Sequence, residues 1–303
     1  EAIIRGAARM NFNVFQLRSL KTRVTLLTLA VLVIGIWSLS FYVSRMLQED
    51  MVRLSGEQMA STVSYIAAGV NEELDTRLRL LGDIAEQARP AIMADTAALQ
   101  ALLEQRPILP ILFNGGTFVT GMNGTATAAI PLSTGRRGVN YMDRDSIVAA
   151  LKDGKSTIGA PVMGKRQRSP IFVIGVPIRD TQGKVIGALA GVTDLGKPNF
   201  LDKIAGSTYG KTGGYLLEEP KTRLVITGTD KSRIMQPLPA PGVNPLIDRH
   251  VQGFDETGIT VNPKGVEVLA TARRIPVAGW FIVASLPTRE VFAPIRAMQR
   301  RIL

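Results

Sequence analysis

The hydrophobic pattern begins with an unbroken apolar run. Val24 to Ser44 reads VTLLTLAVLVIGIWSLSFYVS, and no charged residue lies between Arg23 and Arg45. A run of this length crosses a bilayer as one helix. A cleaved signal peptide would have a shorter apolar core and a small-residue exit, whereas this run leaves through Phe41, Tyr42 and Val43. A helical period follows. Val63, Ile66, Val70, Leu74, Leu78, Leu81, Ala85 and Ala88 recur at steps of three and four, which predicts a long helix with one apolar face, ended at Pro90. Leu47, Met51 and Leu54 have nothing local to pack on, which favours pairing with a second copy there.

From about Ile108 the texture changes to strands and turns. Phe118-Val119 and Thr127 to Ile130 flank the turn Met122 to Thr125, Asp145 to Lys152 reads as a short helix, and Ser156 to Ile158 as a strand. Ile171 to Ile178 and Val185 to Val192 form a hairpin across Asp180-Thr181-Gln182-Gly183. A weaker second copy follows. Gly213 to Leu217 and Leu224 to Thr227 read as strands, Pro245 to Gln252 as a helix, Val266 to Arg274 and Trp280 to Ser285 as strands, and Arg289 to Leu303 as a helix. Helices set against antiparallel meanders predict an α+β fold. The expected divisions are a basic stub (1–23), a transmembrane helix (24–44), a stalk helix (45–90), a first unit (91–205), a second unit (206–288) and a helix (289–303) approaching an expected second span.

Charge adds an orientation. Arg5, Arg9, Arg18, Lys21 and Arg23 precede the run, whereas Arg45, Glu49, Asp50, Arg53 and Glu57 after it nearly cancel. Positive residues favour the cytoplasmic side, so the stub is expected inside and the rest outside a bacterial inner membrane. Of the formal net charge of +11, nearly half lies before residue 46. The remaining positives are scattered rather than striped, which argues against a nucleic-acid partner. The chain has no cysteine and a single histidine, His250, in a segment that reads as polar surface. Thiol chemistry is excluded, and a histidine-based triad or metal site would rest on one residue. No cofactor or metal is expected. Ala205 to Thr212 and Ala149 to Ser156 are near misses to a phosphate loop, but neither leads from a strand into a helix. Asn123-Gly124-Thr125 matches a glycosylation acceptor and is more simply a turn.

Three stretches carry a family resemblance. Gly138-Val139-Asn140-Tyr141-Met142-Asp143-Arg144 resembles a G-x-(D/N)-Y-x-x-R pattern. Ser169-Pro170 through Pro177-Ile178-Arg179-Asp180, with Gly183 and Gly187, resembles a hairpin pattern ending P-I-x-D-x-x-G-x-x-x-G. Gly191-Val192-Thr193-Asp194-Leu195 resembles G-x-x-D-L. Their order resembles the double Cache (dCache) family, extracytoplasmic sensor domains of bacterial transmembrane receptors, over roughly residues 44–296. The resemblance implies two tandem PAS-like antiparallel-sheet units and a homodimer, with a small-molecule ligand in the membrane-distal unit. It also implies a cytoplasmic output domain, expected to be a GGDEF diguanylate cyclase from the style of GKTGGY and the Pro239–Asn244 loop. A histidine kinase or chemoreceptor is the alternative. This segment itself is expected not to be an enzyme. A dimerisation spacer and a membrane-anchored extracytoplasmic enzyme are the readings of other classes, and the enzyme has no supporting motif.

By the same resemblance the ligand-binding residues are Tyr141, Arg144, Met163, Lys165 and Asp194. Amino-acid-binding members follow the arginine with Trp and Tyr, but here Arg144 is followed by Asp145-Ser146-Ile147. Lys165 stands near where an acidic partner for an amine is expected. An organic acid is therefore favoured over an amino acid, since guanidinium and carboxylate match bidentately. Plainer roles stand beside these. Arg144 can pair with Asp143 or Asp145, Asp194 can cap a turn, Tyr141 can be core, and Lys165 to Arg168 can be a solvated loop.

Overall fold

A computed structural model describes residues 20–302, apart from the side chains of residues 22, 90, 92–94 and 298–302. Most of the basic stub, residues 1–19, therefore lies outside the described residues. In order, the helices are α1 (Leu20–Ala94), α2 (Thr96–Glu104), α3 (Ile108–Leu112), α4 (Asp145–Val148), α5 (Asp202–Ala205), α6 (Pro245–Val251), α7 (Thr288–Val291) and α8 (Ala293–Ile302). The strands are β1 (Gly116–Gly121), β2 (Ala126–Ile130), β3 (Thr157–Ile158), β4 (Val162–Met163), β5 (Pro170–Arg179) and β6 (Val185–Asp194), then β7 (Gly214–Glu219), β8 (Leu224–Gly228), β9 (Thr257–Val261), β10 (Glu267–Ile275) and β11 (Trp280–Pro287). The chain divides at Met51/Val52 into two compact units.

In the first unit, the apolar part of α1 reaches a mean hydropathy of 2.3 over 18 residues, none of that window buried. Leu27, Ile34, Trp37 and Phe41 are all exposed. The helix is long and apolar enough to cross a membrane.

The second unit holds two antiparallel sheets with the same plan. One runs β2-β1-β6-β5-β3, with β4 also pairing β5; the other runs β8-β7-β11-β10-β9. In each, the first and last strands are neighbours at the centre. The α+β expectation of two tandem sheet units is met. The two-residue alternation of each strand divides its side chains between two faces. Val119, Phe172, Ile174 and Leu189 of the first sheet share one core with Leu217, Leu269 and Ile282 of the second and with Met59, Val63, Leu74 and Leu81 of α1. Phe172 meets Trp280 edge to face at 5.1 Å, so this core runs across both sheets. Gly191 admits the ring of Phe113 here, since a Cβ at that position would stand 2.4 Å from the ring.

The opposite faces have separate small cores. Phe118, Tyr141, Ile147, Val173, Ala188 and Ala190 form one, and Val225, Leu238, Ala272 and Phe281 the other. Along α1, Ser64 and Asn71 bond the second sheet, at Arg273 and at Val277 N. Further along, Arg77 and Arg89 donate to the carbonyls of Leu112 and Arg179 beside the first sheet.

Several elements differ from expectation. α1 runs past Pro90 to Ala94, because a proline withdraws one backbone donor without having to stop a packed helix. Asp95 then caps α2 by accepting from Ala98 N at 2.6 Å. Ile108–Leu112 is helical rather than the start of the strands, with Pro110 inside the first turn, where its missing N–H costs nothing. The helix read over Asp145 to Lys152 is one α turn followed by a π turn, Ala149–Asp153. β9 escapes the sequence pattern because TGITV has only two large apolar residues, Ile259 and Val261, and both are exposed.

Candidate functional site

The first sheet's outer face holds a small cationic cavity. The segment before α4 builds one wall. Asn140 Oδ1 accepts from Met142 N at 2.9 Å and its Nδ2 donates to the Asn123 carbonyl at 2.7 Å, which fixes the turn that presents Tyr141 and Arg144. The Tyr141 ring stacks on Phe118 with centroids 4.4 Å apart. The turn after β4 builds the facing wall, through Gly164, Lys165, Arg166 and Gln167.

Arg144 is 8% exposed, and its Nη2 donates to the Met163 carbonyl at 2.9 Å. Its Nε has no hydrogen-bond partner and stands 3.7 Å from Asp143 Oδ2. Lys165 Nζ lies 2.7 Å from Asp143 Oδ1, donates to the Asn140 carbonyl at 2.7 Å and sits 5.5 Å from the Tyr141 ring centroid. A second arginine completes the cluster. Arg136 is 4% exposed, its Nη1 is unpartnered, and its guanidinium lies over the Phe118 ring. Burial lowers the Arg136 pKa, against the opposing pull of Tyr141 and Asp194. Burial raises the Tyr141 hydroxyl, against Arg136. For Asp143, burial works upward, but Lys165 and Arg144 outweigh it and hold the carboxyl below its usual range.

Tyr141, Arg144 and Lys165 thus meet at one cavity. Met163 contributes its carbonyl to Arg144, while its side chain is half exposed. Asp194 is not part of the lining. It is buried at the end of β6, where Oδ1 accepts from Ser169 Oγ and from Gly196 N at 3.0 Å, and Oδ2 lies 3.6 Å from Lys197 Nζ. Asn114 holds the Asp194 backbone through both its N–H, at 2.8 Å, and its carbonyl, at 3.0 Å. Arg136 escaped the sequence reading although it stands two residues before the glycine of the G-x-N-Y-x-x-R stretch. A basic pair beside that motif was the available signal. The cavity measures about 10 Å³, room for roughly one water. As it stands the cavity is smaller than an organic ligand.

His250 also departs from its reading as polar surface. It is 3% exposed on α6 beside the second sheet, with Nε2 3.0 Å from the Glu256 carbonyl. Burial lowers its pKa. Its inward turn follows from the helix period, which sets Leu246 and His250 on one face.

Two sheets of one plan packed on one long helix, the first carrying a guanidinium-lined cavity, define a tandem sensor architecture. Residues 47–295 match the family dCache_1, described as a Cache domain, and the chain belongs to that family. Cache domains are ligand-binding sensor domains rather than catalysts. No curated protein sequence is similar enough to count as a relative. Among solved structures, the chain is similar to the ligand-binding domain of the Pseudomonas aeruginosa PAO1 amino acid chemoreceptor PctB in complex with L-Arg. The TM-score is 0.62 at 21% identity, over 78% of this chain and 97% of that one. It is similar to the V. cholerae histidine kinase DctB sensor domain, with TM-score 0.60 at 14% identity over 78% and 98%. It is also similar to an extracellular ligand-binding receptor from Desulfohalobium retbaense, with TM-score 0.59 at 14% identity over 75% of this chain but only 40% of that one. At these identities the likeness speaks for the fold.

Proposed function

We propose that the chain is the extracytoplasmic sensing module of an inner-membrane receptor, and that its first sheet unit, the membrane-distal one, binds a small carboxylate. The observation that carries this is the pair of buried guanidiniums, Arg136 and Arg144, each with an unpartnered nitrogen at one cavity. A buried charge without a full set of partners is costly, and a carboxylate supplies the acceptors both lack. Lys165 and Arg166 add positive charge at the mouth, and Asp143 is the acidic residue beside them. Tyr141 forms the apolar wall. Asp194 acts through the turn it holds, from which the β6 end and Ser169 are positioned.

Ligand binding shifts the balance between two arrangements of a dimer, and α1 and α8 pass the shift across the membrane. Exposed Leu47, Leu54 and Tyr65 on α1 support the dimer. The output is proposed to be a diguanylate cyclase domain. A histidine kinase or chemoreceptor output is the second reading, favoured by the receptors whose sensor domains share this fold.

A thermal-shift screen of the chain in detergent, with organic acids against amino acids and amines, tests the proposal. A carboxylate that raises the melting temperature of the wild type and not of Arg144→Ala supports it. A hit that survives Arg144→Ala moves the site elsewhere, and no hit in any class favours a spacer without a ligand.

A further inference from the structure

The second sheet has a cavity of its own, on the face corresponding to the cationic cavity of the first. It measures about 260 Å³ and lies between the sheet, α6 and the Asp230–Asn244 connection. Leu216, Val268, Ala270 and Val283 form its floor, and Ile247 of α6 its roof. Within this apolar lining stands Glu218, 3% exposed, with Oε2 unpartnered. No ion pair holds it among the described residues. Its neighbour Glu219 is a contrast, since that carboxylate accepts from Lys221 N, Thr222 N and the Thr222 hydroxyl and so closes the β7–β8 turn. Glu218 has no such local duty. His250 lines the same cavity. With Nε2 donating to the Glu256 carbonyl, its Nδ1 is an acceptor, and that atom too is unpartnered.

Two buried acceptors without donors, set among apolar side chains, call for a ligand that is a donor at one end and apolar at the other. We propose that this cavity is a second ligand site, one that takes a primary amine carried on an apolar body. The ammonium meets Glu218, with His250 Nδ1 as a further acceptor, and the body lies on Leu216, Val268 and Val283. Burial pushes the Glu218 carboxyl up to about 8, against the pull of Arg233 and Arg223. Without a ligand it is therefore protonated at neutral pH. Binding is then a proton exchange in which the ammonium enters charged, Glu218 releases its proton to solvent, and no other bond is made or broken. The surrounding charges permit this. Arg223 is engaged by Asp248 at 2.9 Å, Arg233 donates to Gln236 at 2.7 Å, and Asp230 and Lys264 stand at the mouth with their charges 3.9 Å apart. His250 remains neutral, because burial lowers its pKa.

The probe is benzylamine, compared with benzyl alcohol and benzoate, on the chain in detergent and in the Arg144→Ala background so that the first cavity does not contribute. Calorimetry at about pH 6.5, in two buffers of different ionisation heat, reads both affinity and proton release. The expected result is binding of benzylamine alone, with release of about one proton per ligand. Glu218→Gln is expected to weaken binding about tenfold or more and to abolish the proton release. Val283→Trp fills the cavity while leaving Glu218 in place, and is expected to abolish binding without lowering the melting temperature. Binding of benzyl alcohol or benzoate as tight as that of benzylamine would overturn the proposal. So would benzylamine binding that is unchanged in Glu218→Gln, or no benzylamine binding at all. Failure of carboxylate sensing at Arg144 leaves each of these outcomes readable.

Discussion

The two sheet units share a strand order and a supporting helix, yet their outer cavities differ in size and in chemistry. The first is water-sized and lined by Arg136, Arg144, Lys165 and Arg166. The second is about 260 Å³, mostly apolar, with one carboxylate deep inside. The difference teaches where specificity resides in a repeated fold. The inner faces, with Phe172, Leu217, Trp280 and Ile282, are interchangeable apolar surface, because both pack on α1 and on each other. The outer faces have no common partner. There a few side chains set the chemistry, from the loops around α4 and β4 in the first unit and from β7 and α6 in the second.

Removing the shared inner face is expected to have the largest effect. Trp280→Ala takes a fully buried indole from the contact with Phe172 and should cost about 4 kcal/mol, read from urea denaturation. Both units should lose stability together. If only the second unit loosens in hydrogen exchange, the sheets are energetically separate.

The next effect separates the units by pH. Folded Glu218 holds its proton up to about pH 8, against an ordinary value of 4.5. The folded state therefore binds more protons than the unfolded one between these values, and stability falls as pH rises through that window. Glu218→Gln should remove this slope and gain about 2 kcal/mol at the alkaline end. A variant that melts with the same pH profile as the wild type would refute the burial of an unpaired carboxyl.

Legibility in the sequence divides along the same line. The apolar span, the amphipathic run from Val63 to Ala88, and the hairpin Ile171 to Val192 declare themselves because their periods follow directly from which face is buried. The second unit's strands are readable for the same reason, apart from β9, which is an exposed edge with little apolar content. The first cavity is partly legible, since Tyr141, Arg144 and Lys165 lie on or beside a motif. Arg136 is not, because a surface arginine and a buried one look alike in sequence. The second cavity left no trace. Glu218 falls just past the strand read over Gly213 to Leu217, beside Glu219 and before Pro220-Lys221, and His250 reads as polar surface. Only the facing of β7 and α6 turns both inward.

Smaller effects sharpen the contrast inside the first unit. Asp194→Ala should cost about 2 kcal/mol in chemical denaturation, since Ser169 Oγ and Gly196 N lose their acceptor and Lys197 its ion-pair partner. Arg136→Met should gain about 1 kcal/mol without ligand, because it replaces a buried, incompletely partnered charge with an apolar chain of similar length. The same variant should lose its response to carboxylates. If it is destabilised instead, Arg136 is part of the scaffold and not of a ligand site.

The most direct test of two opposite sites on one repeated frame is a crossed thermal-shift measurement. The carboxylate selected by the screen and benzylamine are each added to the wild type, Arg144→Ala and Glu218→Gln. At 100 times its dissociation constant, a ligand adds about 2.7 kcal/mol, a rise of roughly 5 to 10 °C. Each variant is expected to lose the shift of one ligand and keep the other, Arg144→Ala losing the carboxylate and Glu218→Gln the amine. Loss of both shifts in either variant, or of neither in both, would contradict it.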